Sequence, residues 1–125
     1  MQALWKIRNS LYQYINADLT VAPHSAPDST PVKIIFKKIA DGIFTIGQVG
    51  TTNLLAADGD NVRWSPDYND TCHWRVWISA RDTVTILAHL SGRDIRENPC
   101  LAVSADNRLL LIRDGYYSWY LNTTA

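Results

Sequence analysis

The chain has 125 residues, with 12 lysines and arginines against 12 aspartates and glutamates. That length supports one domain with a real core, and the balanced charge creates no general attraction for a nucleic-acid backbone or an anionic membrane. No apolar run is long enough to cross a bilayer as a helix, and the opening Met1-Gln2-Ala3-Leu4-Trp5-Lys6-Ile7 lacks the basic head and apolar stretch of a secretory leader.

Taken in chain order, the sequence repeats itself. Leu4-Trp5-Lys6-Ile7 reads as a strand, followed by an apolar pair Leu11-Tyr12, a polar turn Asn16-Ala17-Asp18 and a short apolar strand Leu19-Thr20-Val21. Residues 22–31 carry three prolines and form a loop, partly stiff because proline fixes φ. Val32-Lys33-Ile34-Ile35-Phe36 closes the unit. The same order returns with Ile43-Phe44-Thr45-Ile46, Leu54-Leu55, the turn Asp58-Gly59-Asp60-Asn61, and Val62-Arg63-Trp64. A loop over residues 65–71 follows, then Trp74-Arg75-Val76-Trp77-Ile78. It returns again with Val84-Thr85-Ile86-Leu87, a surface loop over 92–99, Leu101-Ala102, Ser104-Ala105-Asp106-Asn107 and Leu109-Leu110-Leu111. The loop 113–117 and Trp119-Tyr120-Leu121 complete it. Ile7 precedes Ile46 by 39 residues, and Ile46 precedes Ile86 by 40. A period of this size marks a repeated architecture whose units must pack on one another. The prediction is all-β, with twelve strands in one domain of three units, roughly 1–40, 41–80 and 81–125.

Period-two alternation sorts the closing strands. Trp74, Val76 and Ile78 face one side, Arg75 and Trp77 the other. Trp74 and Trp119 recur at the closing strand and read as core plugs, and Trp5 as core or strand-pairing. Trp77 falls on the outer face. Cys72 and Cys100 are too few for a disulfide framework and read as buried free thiols, with a bridge left open. The sequons at Asn69 and Asn122 carry meaning only in a secreted protein. The missing leader points to a cytoplasmic protein, or one exported by a route that needs no leader.

Enzymatic chemistry finds little support. His24, His73 and His89 are scattered, and no nucleophile elbow, zinc-binding His-Glu-x-x-His or phosphate loop occurs. Cysteine and histidine spacing matches no zinc site. The expectation is a non-enzyme without metal or cofactor.

Three units of about forty residues, four short strands each, closing on a Trp-x-apolar strand, resemble the β-trefoil. The opening Leu4-Trp5-Lys6-Ile7-Arg8-Asn9 is similar to the first strand of small fungal β-trefoil proteins, the ricin-B-like lectins and the mycocypin-type protease inhibitors. The resemblance implies a six-strand barrel under a triangular cap of hairpins, and a lectin that takes glycans or glycoproteins as partners. It departs from the ricin type at two points. The Gln-x-Trp motif is replaced by Cys72-His73-Trp74 and Tyr117-Ser118-Trp119, and the sugar-anchoring aspartate would fall at Ala56 and Ala102.

Sugar binding asks for an exposed aromatic face beside hydrogen-bonding side chains. The second unit offers Trp64, Asp67, Tyr68, Asn69 and His73, with Trp77 on the outer face nearby. Trp64 has two placements open, a stacking platform or a cap-filling side chain. The rival reading is a protease inhibitor. Its rigid loop would be residues 23–31, with His24 or Asp28 near the tip, or 92–99, with Arg93 or Arg96 as specificity residue. A third reading is an interaction module in which Trp77 and Tyr68 meet a partner or a second copy of the chain, as a homodimer. Neither nucleic acid nor membrane insertion is expected.

Overall fold

The structure, a computed structural model, describes residues 3–23, 25–26, 30–80, 82–90, 98–113 and 115–123. Twelve strands follow in order among them. They are β1 (Trp5–Arg8), β2 (Gln13–Ile15), β3 (Val21–Pro23), β4 (Ile34–Ala40), β5 (Ile43–Gln48) and β6 (Leu54–Asp58). Then come β7 (Asn61–Ser65), β8 (Trp74–Ala80), β9 (Thr83–Ala88), β10 (Cys100–Val103), β11 (Leu109–Ile112) and β12 (Trp119–Thr123). One 3-10 turn, Asp70–Cys72, precedes β8.

Six strands close a ring of antiparallel pairs. β1 pairs with β4, β4 with β5, β5 with β8, β8 with β9, β9 with β12, and β12 with β1. Closure leaves no free edge in the barrel wall. The remaining six strands form three hairpins, β2–β3, β6–β7 and β10–β11. Backbone bonds join these hairpins to one another: Val21 N donates to Asn107 O at 2.9 Å, Leu109 N to Leu19 O at 3.0 Å, and Leu111 N to Asp60 O at 2.9 Å. They make a cap over one end of the barrel.

The core repeats with the sequence. Ile7, Ile46 and Ile86 occupy equivalent places in β1, β5 and β9 and are all buried. Ile34, Trp74 and Trp119 open β4, β8 and β12 and are buried beside them. Burying an aliphatic side chain of this size contributes about 1.5–3 kcal/mol. The three units therefore stabilise one shared interior, and the spacing of 39 and 40 residues is the trace that interior leaves in the chain. Cys72 and Cys100 are buried free thiols.

Two local expectations fail. Leu11-Tyr12 is not the counterpart of Leu54-Leu55, of which Leu54 is half-buried and Leu55 buried: Leu11 is 72% and Tyr12 65% exposed. The buried Asn9 side chain organises a turn here, its Oδ1 accepting from Leu11 N and Gln13 N, both at 3.0 Å. Tyr12 adopts φ 60 in that turn, and its ring covers the Arg8 guanidinium at 4.2 Å. The strand starts one residue later, at Gln13. Ile78 was grouped with Trp74 and Val76 by alternation but is 83% exposed. The β8–β9 ladder shifts register between Ile78 and Ala80, and this end of the hairpin runs beyond the core. The inhibitor-loop residues His24, Asp28, Arg93 and Arg96 lie outside the described residues.

Candidate functional site

The segment between β7 and β8 is built by its own short-range bonds. Ser65 Oγ donates to Asp67 O at 2.9 Å and accepts from Asp67 N at 3.2 Å. Asn69 caps the 3-10 turn, its Oδ1 accepting from Thr71 N at 2.9 Å and from the Thr71 hydroxyl. This is the local competition between polar side chains and regular ladders that suits Asn and Ser to turns. Cys72 is buried, and its thiol donates to Asp67 O at 3.6 Å. The loop is thus pinned from within at both ends, and Tyr68 at its middle is turned outward, 61% exposed.

Tyr68 is held in that pose by His73. The hydroxyl and His73 Nε2 share a hydrogen bond of 2.7 Å, with ring centroids 5.4 Å apart and tilted by 55°. The hydroxyl donates when the imidazole proton is on Nδ1 and accepts in the other tautomer. Beside the pair lies a cleft of about 370 Å³ lined by Lys37, Ile39, Thr45, Leu54 and Tyr68. Lys37 and Thr45 face each other across the β4–β5 ladder. The result is an aromatic face, an ammonium and hydroxyl groups around one concave, partly apolar surface, which is what orients a small polar ligand.

The two tryptophans of the expected site lie elsewhere. Trp64 is half-buried against the core, and its indole N–H donates to Ala17 O in the first unit at 2.8 Å. Trp77 faces outward from β8 and meets Tyr116, with centroids 6.4 Å apart and planes at 48°. That pair bounds a second cleft of about 400 Å³, lined also by Ile78, Thr85 and Ser118. Of the six residues singled out in sequence, Tyr68 and His73 come together directly. Asp67 and Asn69 shape the loop between them, and Trp64 and Trp77 serve separate places. Lys37 and Thr45 were missed. Their only signal is their register in the repeat, since a lysine in an alternating strand reads as a solvated outer face. Ala56 and Ala102, where a ricin-type aspartate would stand, are buried small residues.

Behind His73 lies a second histidine. His89 N donates to His73 O at 2.9 Å. Burial, then the neighbouring Arg75 guanidinium, then His73 hold the His89 imidazole below its ordinary pKa. His89 Nδ1 and Arg75 Nε are buried without a hydrogen-bond partner. Among the described residues no cluster of three or more His, Cys, Asp or Glu is placed to hold a metal ion.

No family model matches the sequence, and no protein of curated function matches it. Solved structures do match it in shape. SeviL bound to asialo-GM1 saccharide superposes over 100% of both chains with a TM-score of 0.76 at 16% identity. The fold is a β-trefoil. ThreeFoil, a designed protein with threefold symmetry, superposes on 94% of this β-trefoil and 96% of its own length, with a TM-score of 0.70 at 15% identity. A GH43 β-1,3-galactosidase matches 94% of the chain over 26% of its own, with a TM-score of 0.75 at 14% identity. Identity this low speaks for the fold alone, and a fold hosts many functions.

Proposed function

We propose that this β-trefoil is a carbohydrate-binding protein, a lectin that acts without metal or cofactor. The observation that carries the reading is Tyr68, on the wall of the 370 Å³ cleft and bonded at 2.7 Å to His73 behind it. A sugar ring presents an apolar C–H face and a rim of hydroxyls. The exposed Tyr68 ring suits the first. His73, the Lys37 ammonium and the exposed Asp67 carboxylate suit the second. Asn69 keeps its side-chain amide for the same rim, while its carbonyl caps the loop. Fixing Tyr68 before binding lowers the entropy of ordering it in the complex. Trp64 supports the cap behind the loop through its bond to Ala17 O. The trefoil neighbour that holds asialo-GM1 saccharide lends the reading support at the level of architecture.

A glycan array, followed by calorimetric titration of the best binders and of asialo-GM1 saccharide, tests the proposal. Tyr68→Ala should weaken binding at least tenfold, and His73→Ala by a smaller factor, with the fold retained by circular dichroism. Silence across the array, or an affinity unmoved by Tyr68→Ala, overturns it.

A further inference from the structure

The cleft at Trp77 has the same address in its unit as the cleft at Tyr68. Lys37 pairs with Thr45 across β4–β5, and Trp77 pairs with Thr85 across β8–β9, each residue 40 positions after its counterpart. Each pair lines a cleft whose far wall is a tyrosine from the segment leading into the next closing strand. That tyrosine is Tyr68 ahead of β8 and Tyr116 ahead of β12. The address is shared and the chemistry is not: an indole stands where the first cleft has an ammonium.

The third address carries different side chains among the described residues. Lys6 pairs there with Asn122 across β1–β12. The Asn122 amide donates to the Tyr14 hydroxyl at 3.1 Å, and the Tyr12 and Tyr120 rings clasp Arg8 at 4.2 and 4.1 Å.

The second cleft has a distinct set of groups. Trp77 and Tyr116 are tilted at 48° with centroids 6.4 Å apart, so they form a wedge with both faces available instead of stacking flat on each other. Tyr116 is 73% exposed. Ser118 and Tyr116 contribute hydroxyls beside the buried Thr85, and none of the described lining residues is charged. Aromatic faces with neutral hydroxyls in a concave surface match an uncharged pyranose, whose C–H face and hydroxyl rim divide the same way. Resting on the lectin reading above, we infer that the Trp77–Tyr116 cleft is a second glycan site, suited to uncharged sugars, and that the protein holds at least two such sites. Two sites on one rigid barrel raise avidity on a glycosylated surface without any new contact.

The test is a proton–nitrogen correlation spectrum of the labelled full chain titrated with methyl β-galactoside, methyl β-glucoside and asialo-GM1 saccharide. The indole signal of Trp77, assigned with Trp77→Phe, and the Thr85 amide report on this cleft; the Thr45 amide reports on the Tyr68 cleft. At least one probe should move the Trp77 and Thr85 signals saturably. Tyr116→Ala, a change on an exposed loop, should weaken that response at least tenfold and leave the Thr45 titration as it was. Movement at Thr45 with Trp77 and Thr85 still overturns the second site and leaves the first. Movement at Trp77 and Thr85 alone sustains the second site and removes the first. Stillness at both removes both. A Trp77 shift produced by concentration of the protein without sugar overturns the inference in favour of a self-association face.

Discussion

Trp74 and Trp119 are the same residue of two successive units. Both are fully buried, and their indole N–H groups donate to Leu55 O and Leu101 O, each at 2.9 Å. Each bond ties a barrel strand to the cap hairpin of its own unit. A buried carbonyl deprived of its donor costs about 1–3 kcal/mol, and truncation of a core tryptophan to alanine about 3–5 kcal/mol. Trp74→Phe and Trp119→Phe should therefore destabilise the protein by similar amounts in this lower range, read as a drop in the urea midpoint. Either alanine variant should remove a large share of a total stability of roughly 5–15 kcal/mol. A phenylalanine variant with an unchanged midpoint would refute the role of the bond.

The turns of the β4–β5 and β8–β9 hairpins repeat as well. Gly42 has φ +73 and Asp82, 40 positions on, has φ 57. Left-handed backbone costs an ordinary residue about 1–2 kcal/mol, with Asn and Asp the usual exceptions. An added Cβ at Gly42 meets only the Arg75 Nη1 atom, at 3.4 Å, so space is not the obstacle. Gly42→Val should cost about 1–2 kcal/mol in chemical denaturation, and Gly42→Asp clearly less, because the homologous turn already carries an aspartate. Equal costs for the two would place the constraint in packing instead.

The barrel and its three-unit order were legible because the interior reads the chain at fixed intervals. Ile7, Ile46 and Ile86 pack in one shared core, so their spacing survives in the sequence. The same holds for Trp74 and Trp119. Where a side-chain device overrides the pattern, legibility ends. Asn9 draws Leu11 and Tyr12 into an exposed turn through two bonds to backbone N–H groups, and nothing in hydrophobicity announces it. The Tyr68–His73 pair was legible as a cluster in one loop. Lys37 and Thr45 were not, because their nearness to Tyr68 comes from pairing between units. Trp77 was rightly placed outside, but its partner Tyr116 lies 39 positions on and meets it only through barrel closure.

Both thiols should be silent in the native protein. Cys72 is 0% and Cys100 1% exposed, and burial pushes the Cys100 thiol above its ordinary pKa, against a weaker opposing bond to Tyr117 O. The thiolate is the reactive form, so access opposes attack at both cysteines and ionisation opposes it further at Cys100. Ellman's reagent at neutral pH should release almost no chromophore from folded protein and two equivalents in guanidinium. Fast labelling of one thiol without denaturant would contradict the burial.

Acid should weaken the fold in two separate windows. The folded-state pKa of His89 is depressed below 6.5 by burial, Arg75 and His73. As pH falls below that value the unfolded chain takes up a proton that the folded chain resists, so stability falls until the folded pKa is passed. Asp18 is depressed below 3.8, chiefly by its bond from the Thr20 hydroxyl at 2.6 Å. Its contribution is present above that value and is lost as pH falls through the folded pKa. Urea midpoints between pH 7.5 and 5 should decline in the wild type, and His89→Gln should flatten that decline while leaving the deeper acid loss. An unchanged slope in His89→Gln would assign the upper window to another group.

Trp64 offers the sharpest separation of scaffold from recognition. Its indole N–H reaches across to Ala17 O at 2.8 Å, joining the caps of the first two units, while Tyr68 four residues on has its ring in solvent. Removing one such bond costs about 0.5–1.5 kcal/mol net. Trp64→Phe should lower the melting temperature by a few degrees, in keeping with about 4–8 °C per kcal/mol for a small domain, and leave glycan affinity within twofold. Tyr68→Phe should do the reverse, keeping stability and weakening affinity by loss of the hydroxyl that His73 orients. Loss of binding in Trp64→Phe with an unshifted melting temperature would move the stacking platform from Tyr68 to Trp64, because only direct contact with sugar joins those two results.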